Sequence, residues 1–159
     1  MNAKAVAESV KKAAEEVIGM YLMKTPVLKE TKVKQDLGGF KDISVIIGLA
    51  SDKLEGVFIV SYDKRIIFEF MKNMLGEDVN EITKEVVDAS GELTNQISGV
   101  FRRELEKTGL KLEGSTPSIV TGKEYNIEIP TKIPRMSFLY QIDGDKDLII
   151  EFGLTKKSG

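Results

Sequence analysis

Residues 80–109 read NEITKEVVDASGELTNQISGVFRRELEKTG. At about 100° per residue, Ile82, Val86, Ala89, Leu93, Ile97, Val100 and Phe101 gather on one side of a helix. That side faces a core. Asn80 is the expected N-cap and Gly109 the expected stop. On the other side Asp88, Glu92 and Asn95 follow at i, i+4 and i+7, so they project in nearly one direction. Gly91 and Gly99 lie close to that line.

A glycine inside a helix costs roughly 1 kcal/mol relative to alanine. Two in one helix interior call for a reason, and close approach of another backbone or molecule is one. The face then offers an acid and an amide in a row with little bulk around them. This suits a rigid docking surface that pushes two short polar groups into another molecule's site. On spacing alone, a solvated polar face fits the same residues.

Upstream of this helix, residues 3–21 keep helical spacing with small apolar residues from Ala3 to Tyr21, as expected of a helix packed close to another element. Lys24, Thr25 and Pro26 end it. Residues 27–35 read as an edge strand, with Gly38 and Gly39 in the turn. Ile43, Val45, Ile46, Ile47 and Leu49 form a buried strand, 50–56 a loop, and 57–62 the next strand of an antiparallel hairpin. Asp63 caps a helix over 64–75 that Gly76 ends.

Downstream, Pro117 opens a short strand over 118–121, a position where the missing N–H costs nothing. Further strands are expected over 125–129, 133–142 and 148–154, with a frayed tail over 155–159. Helix, three strands, two helices and three or four strands predict an α+β fold. Its sheet is mostly antiparallel and packed with about three helices. The length of 159 residues suits one domain, 1–159, with a sizeable core.

Composition removes several chemistries. The chain is 42% hydrophobic and 30% charged with a formal net charge of −2, which points to a globular protein and away from nucleic acid. Cysteine and histidine are both absent. A Ser-His-Asp triad, an HExxH zinc site, a thiol nucleophile and thiolate metal sites are therefore excluded. There is no long apolar run and no signal-peptide pattern, so no membrane association and a cytoplasmic location are expected.

The run Asp88-x3-Glu92-x2-Asn95, followed after 21 intervening residues by Pro117, resembles the signature of the CheC/CheX/FliY family of chemotaxis phosphatases. One copy of the motif occurs, which is similar to CheX; CheC carries two. The resemblance implies an α+β CheC/CheX-like fold and a phosphatase acting on the aspartyl phosphate of a response-regulator receiver domain, CheY above all. Asn95 would orient the attacking water and Glu92 would pair with the receiver's lysine. Asp88, Gly91, Gly99 and Pro117 would serve docking. The resemblance implies no cofactor on this chain, with Mg2+ held by the receiver, and a homodimer joined through sheet edges.

Three other readings remain open on the residues alone. One is a non-catalytic receiver-binding or flagellar-switch-like module. Another is a small-molecule or nucleotide sensor, which lacks support from any GxxxxGK[ST] or GxGxxG pattern. The third is an enzyme using Asp88 and Glu92 as paired carboxylates.

Overall fold

The computed structural model describes residues 2–128 and 133–158. Among them the chain forms α1 (Ala3–Leu22), β1 (Val27–Lys34), β2 (Ile43–Ala50), β3 (Leu54–Tyr62), α2 (Lys64–Leu75), α3 (Lys84–Glu106), β4 (Glu113–Gly114), β5 (Ser118–Thr121), β6 (Arg135–Ile142) and β7 (Lys146–Lys156). The strands make one antiparallel sheet in the order β1-β6-β7-β3-β2-β4, with β5 also paired to β2. This is the α+β class expected from the element order. No helix among the described residues is long and apolar enough to cross a membrane.

Alternation along the strands assigns the two sheet faces. Phe58, Val60 and Tyr62 of β3, Phe138 and Tyr140 of β6, and Leu148, Ile150 and Phe152 of β7 point to the helix side. There they bury against Val10, Val17 and Ile18 of α1 and Leu93, Ile97 and Phe101 of α3. The small residues Ala13 and Ala14 of α1 are fully buried, which lets α1 lie close to its neighbours. Asn2 caps α1 by accepting hydrogen bonds from the backbone N–H groups of Lys4 and Ala5.

The opposite face carries a smaller apolar cluster of Val57, Ile59 and Ile127, joined by Phe40, Ile46 and Tyr125. Beside it lies a buried polar group. Glu151, fully buried, accepts from Arg135 Nε at 2.7 Å, Lys34 Nζ at 2.9 Å and Ser137 Oγ at 3.0 Å. The two cations also reach the chain that crosses this face, Lys34 at the Gly38 carbonyl and Arg135 at the Asp36 carbonyl. A buried carboxylate is tolerated only when its lone pairs are occupied in this way.

Several expectations change. Asn80 is not the N-cap of the long helix: Thr83 is, its Oγ1 accepting from the Val86 N–H at 3.2 Å. Ile82 lies outside the helix and is exposed rather than on the apolar face. Both Asn and Thr cap well, so tertiary packing decides: Val79 packs against the core, which holds the chain out of helix until Thr83. Gly109 does stop the helix. With φ +95° it sits in the left-handed region, while its N–H bonds the Glu106 carbonyl and the Leu110 N–H bonds that of Leu105.

The 50–56 loop shrinks to 51–53, because Ala50 pairs with Glu55 and Leu49 with Gly56 in the hairpin. Two further strand residues, Glu113 and Gly114, form between α3 and Pro117, held to β2 by pairing with Ala50 and Leu49. Residues 125–128 form no strand, and 129 lies outside the described residues. Residues 155 and 156 belong to β7 instead of a frayed tail. The first strand is an edge strand as expected, but β6 is its neighbour.

Candidate functional site

Helix α3 is held from three sides. Phe101 stacks on Phe58 and meets Phe152 edge-on, each at 4.8 Å between ring centroids. Such pairs contribute roughly 0.5–1.5 kcal/mol beyond their buried area. On a second side, a Cβ added to Gly91 would lie 3.2 Å from Cδ1 of Ile119 in β5. On a third, Arg103 reaches Glu16 of α1 at 3.0 Å.

A stripe of small hydroxyl residues runs beside the apolar one. Ser90, Thr94 and Ser98 are fully buried. The Thr94 hydroxyl donates to the Ser90 carbonyl at 2.8 Å and lies 2.8 Å from the Tyr62 hydroxyl. The sequence reading missed this stripe because it counted only apolar side chains. The i, i+4, i+8 spacing of the three hydroxyls was the available signal.

The face left over is the one that carries the motif. Asp88, Glu92, Asn95 and Gly99 are all exposed. Asp88, Glu92 and Asn95 make no side-chain hydrogen bond or ion pair to the described residues. Glu92 and Asn95 are three apart on a helix, so their Cβ atoms sit about 5–6 Å from each other. A Cβ on Gly99 would meet nothing within 4 Å. The acid and the amide thus stand free on a rigid helix, with open space one turn further along.

The two glycines separate. Gly99 has the open surroundings expected of a docking face. Gly91 is buried, and the space beside it is filled by Ile119. Its missing side chain lets α3 pack on β5, so the expected docking role of Gly91 is corrected to internal packing. Pro117 immediately precedes β5, as expected of a strand-opening proline. The chain from 114 to 119 runs alongside α3: Gly114 lies against the Arg102 side chain and Ile119 against Gly91. Pro117 lies on this segment, three residues after Gly114 and two before Ile119.

The larger cavities lie elsewhere. One of about 460 Å³ opens on the far sheet face beside Lys34, Ser137, Leu139 and Ile149. Another of about 530 Å³ opens where Asn2, Leu105, Leu110 and Leu154 meet. Neither touches Glu92 or Asn95; a smaller hollow of about 220 Å³ adjoins this face at Gly99, lined by Arg102, Glu106, Lys111 and Leu112. No group of acidic side chains suited to holding a metal ion occurs among the described residues.

The family model described as chemotaxis phosphatase CheX matches residues 43–141. The CheY-P phosphatase CheX of Thermotoga maritima is 26% identical over 112 residues, covering 68% of this chain and 71% of that protein. The crystal structure of a chemotaxis protein CheX from Desulfovibrio desulfuricans superposes with a TM-score of 0.82 at 29% identity, over 94% of this chain and 99% of that one. A chain of the CheX–CheY–BeF3–Mg2+ complex from Borrelia burgdorferi shares the fold at 22% identity, with a TM-score of 0.69 over 96% and 97% of the two chains. With the matched region spanning β2 to β6 and α3 at its centre, this chain belongs to the CheX family of chemotaxis phosphatases.

Proposed function

We propose that this chain hydrolyses the aspartyl phosphate of a CheY-like response-regulator receiver domain, using Asn95 and Glu92. The observation that carries the reading is the pairing of these two side chains, exposed and without internal partners, on a helix locked into the core. Membership of a phosphatase family supports it, as does the Thermotoga maritima relative, named for CheY-P.

An acyl phosphate is already activated, so catalysis is mostly positioning and charge stabilisation. The receiver's own Mg2+ and lysine would supply the positive charge. The Asn95 carboxamide oxygen would accept a hydrogen bond from a water and hold it in line with the bond to be broken. The water oxygen forms the new bond to phosphorus, and the P–O bond to the receiver aspartate breaks. The aspartate leaves as a carboxylate, and the phosphate departs with the water's oxygen and both its protons, as dihydrogen phosphate that then equilibrates with solvent. A neutral amide is a poor base, so Asn95 orients rather than deprotonates. Glu92 would pair with the receiver lysine and fix the register of docking. Asp88, one turn earlier, Gly99 and Pro117 would border the contact. On this reading the chain needs no cofactor of its own and works in the cytoplasm, where its receiver is.

We also propose a homodimer through β1. This strand ends the sheet and exposes Val27, Leu28 and Val33, the last at 73%. An open apolar edge is a template for a second copy.

The deciding experiment follows the decay of phosphorylated receiver with wild-type chain, Asn95→Ala, Glu92→Ala and the double variant. Asn95→Ala is expected to lower kcat by about 100-fold, the scale of a lost positioning contact, and Glu92→Ala to raise KM. Acceleration that survives the double variant would discard this site. Binding without acceleration by any variant, wild type included, would make the chain a receiver-binding module.

A further inference from the structure

Interdigitated apolar packing holds a helix against a sheet and sets its rotation coarsely; a directional contact can set it more finely. A hydrogen bond is such a contact. Among the described residues, a single buried side-chain hydrogen bond joins α3 to the sheet: Tyr62, the last residue of β3, to Thr94 at 2.8 Å. Both side chains are fully buried. Thr94 has one hydroxyl proton, and it goes to the Ser90 carbonyl at 2.8 Å. The Tyr62 phenol must therefore be the donor to Thr94. The remaining link from α3 to another element through charged side chains, Arg103 to Glu16, lies on the exposed surface and is screened by solvent.

Thr94 immediately precedes Asn95 and follows Glu92 by two. By helix geometry their side chains leave the axis about 100° and 160° away from it. Whatever fixes the direction of Thr94 fixes the direction of both. We infer that Tyr62 and Thr94 are positioning residues, whose hydrogen bond sets the rotation at which α3 presents Asn95 and Glu92 to the receiver. This rests on the roles proposed above for those two residues.

The lever is short and the tolerance small. A side-chain tip lies about 6 Å from the helix axis, so a turn of 10° carries it about 1 Å. A misplacement of about 1 Å can cost about 100-fold in rate. Docking, spread over a whole face, tolerates the same turn far better. Burial pushes the Tyr62 phenol above its usual range, so it stays a neutral donor at any physiological pH.

The test uses Tyr62→Phe and Thr94→Val, which remove one hydroxyl each with little change of shape, and Thr94→Ser, which keeps the oxygen. Kinetics are taken at a temperature where circular dichroism shows every variant folded. Tyr62→Phe and Thr94→Val should each lower kcat by about 10- to 100-fold with KM within threefold of wild type. Thr94→Ser should restore near wild-type kcat, and the Tyr62→Phe/Thr94→Val pair should be no worse than the poorer single variant. In 1H–15N spectra, the Asn95 side-chain amide should give one sharp pair of signals in wild type and Thr94→Ser, and broadened or shifted signals in Tyr62→Phe. Unchanged kcat in both hydroxyl-deleted variants, beside an active wild type, overturns the inference. So does a loss that only tracks the unfolded fraction. An inactive wild type overturns the proposed function itself, and the inference with it.

Discussion

Gly99→Leu should make the protein more stable and less active at once. Gly99 lies inside α3, is exposed, and has nothing within 4 Å of the position a Cβ would take. Leucine is favoured over glycine in a helix interior by about 0.8 kcal/mol. For a chain of this size, that is a rise in Tm of about 2 °C. The same leucine stands on the face that carries Glu92 and Asn95, two turns and one turn away. Packed helices approach to about 8–10 Å depending on the side chains between them, so replacing glycine by leucine pushes a docked partner out by on the order of 2 Å. At about 100-fold per ångström of misplacement, kcat/KM should fall by at least about 100-fold. The assay is decay of phosphorylated receiver at sub-saturating phosphatase, alongside a thermal melt of the variant alone. A variant that is stabilised and stays within twofold of wild-type activity refutes the close-approach argument. A variant that is destabilised refutes the open surroundings of Gly99.

Gly91→Leu should behave in the opposite sense on stability. Its side chain would press on Ile119 and push β5 from α3, a cost of about 1–3 kcal/mol that a thermal melt will register as a lower Tm. Glu151→Gln leaves the buried Arg135 without its counter-charge and Lys34 with only the exposed Asp36 at 3.6 Å, so about 3 kcal/mol should be lost, seen as a lower urea midpoint at unchanged slope. Asp63→Asn keeps the cap of α2 but loses the charge. Burial pushes the Asp63 carboxyl up, but hydrogen bonds from the Arg65 side chain and backbone outweigh this and hold it below its usual range. A lowered folded pKa adds stability above the unfolded value of about 3.9, and this is lost as pH falls through the folded value. The stability difference between wild type and Asp63→Asn should be flat from pH 5 to 7 and shrink below about pH 4; a difference that grows on acidification contradicts the assignment.

Much of the site was legible because periodicity reports which side of a helix is wet. The motif spacing placed Glu92 and Asn95 on one exposed face, and the structure leaves both side chains there without internal partners. What the spacing could not resolve was Gly91 against Gly99. Both lie near the same line on α3, and only the arrival of β5, 28 residues later at Ile119, buries one and leaves the other open. The buried hydroxyls of Ser90 and Thr94 were hidden for a related reason: a polar residue reads as wet until its partner, here Tyr62 from a strand 32 residues away, is known.

From the chain alone came the local terms: three helices, the caps Asp63, Gly76 and Gly109, the β2–β3 hairpin, the α+β class and the motif face, each governed by residues within a few positions of one another. The pairing of β1 with β6, the start of α3 at Thr83 in place of Asn80, the short β4 and the Glu151 ion group were decided by tertiary structure. Each of these depends on groups far apart in sequence. Their meeting is set by burying one continuous core and by satisfying the polar atoms that burial traps, which no local propensity encodes.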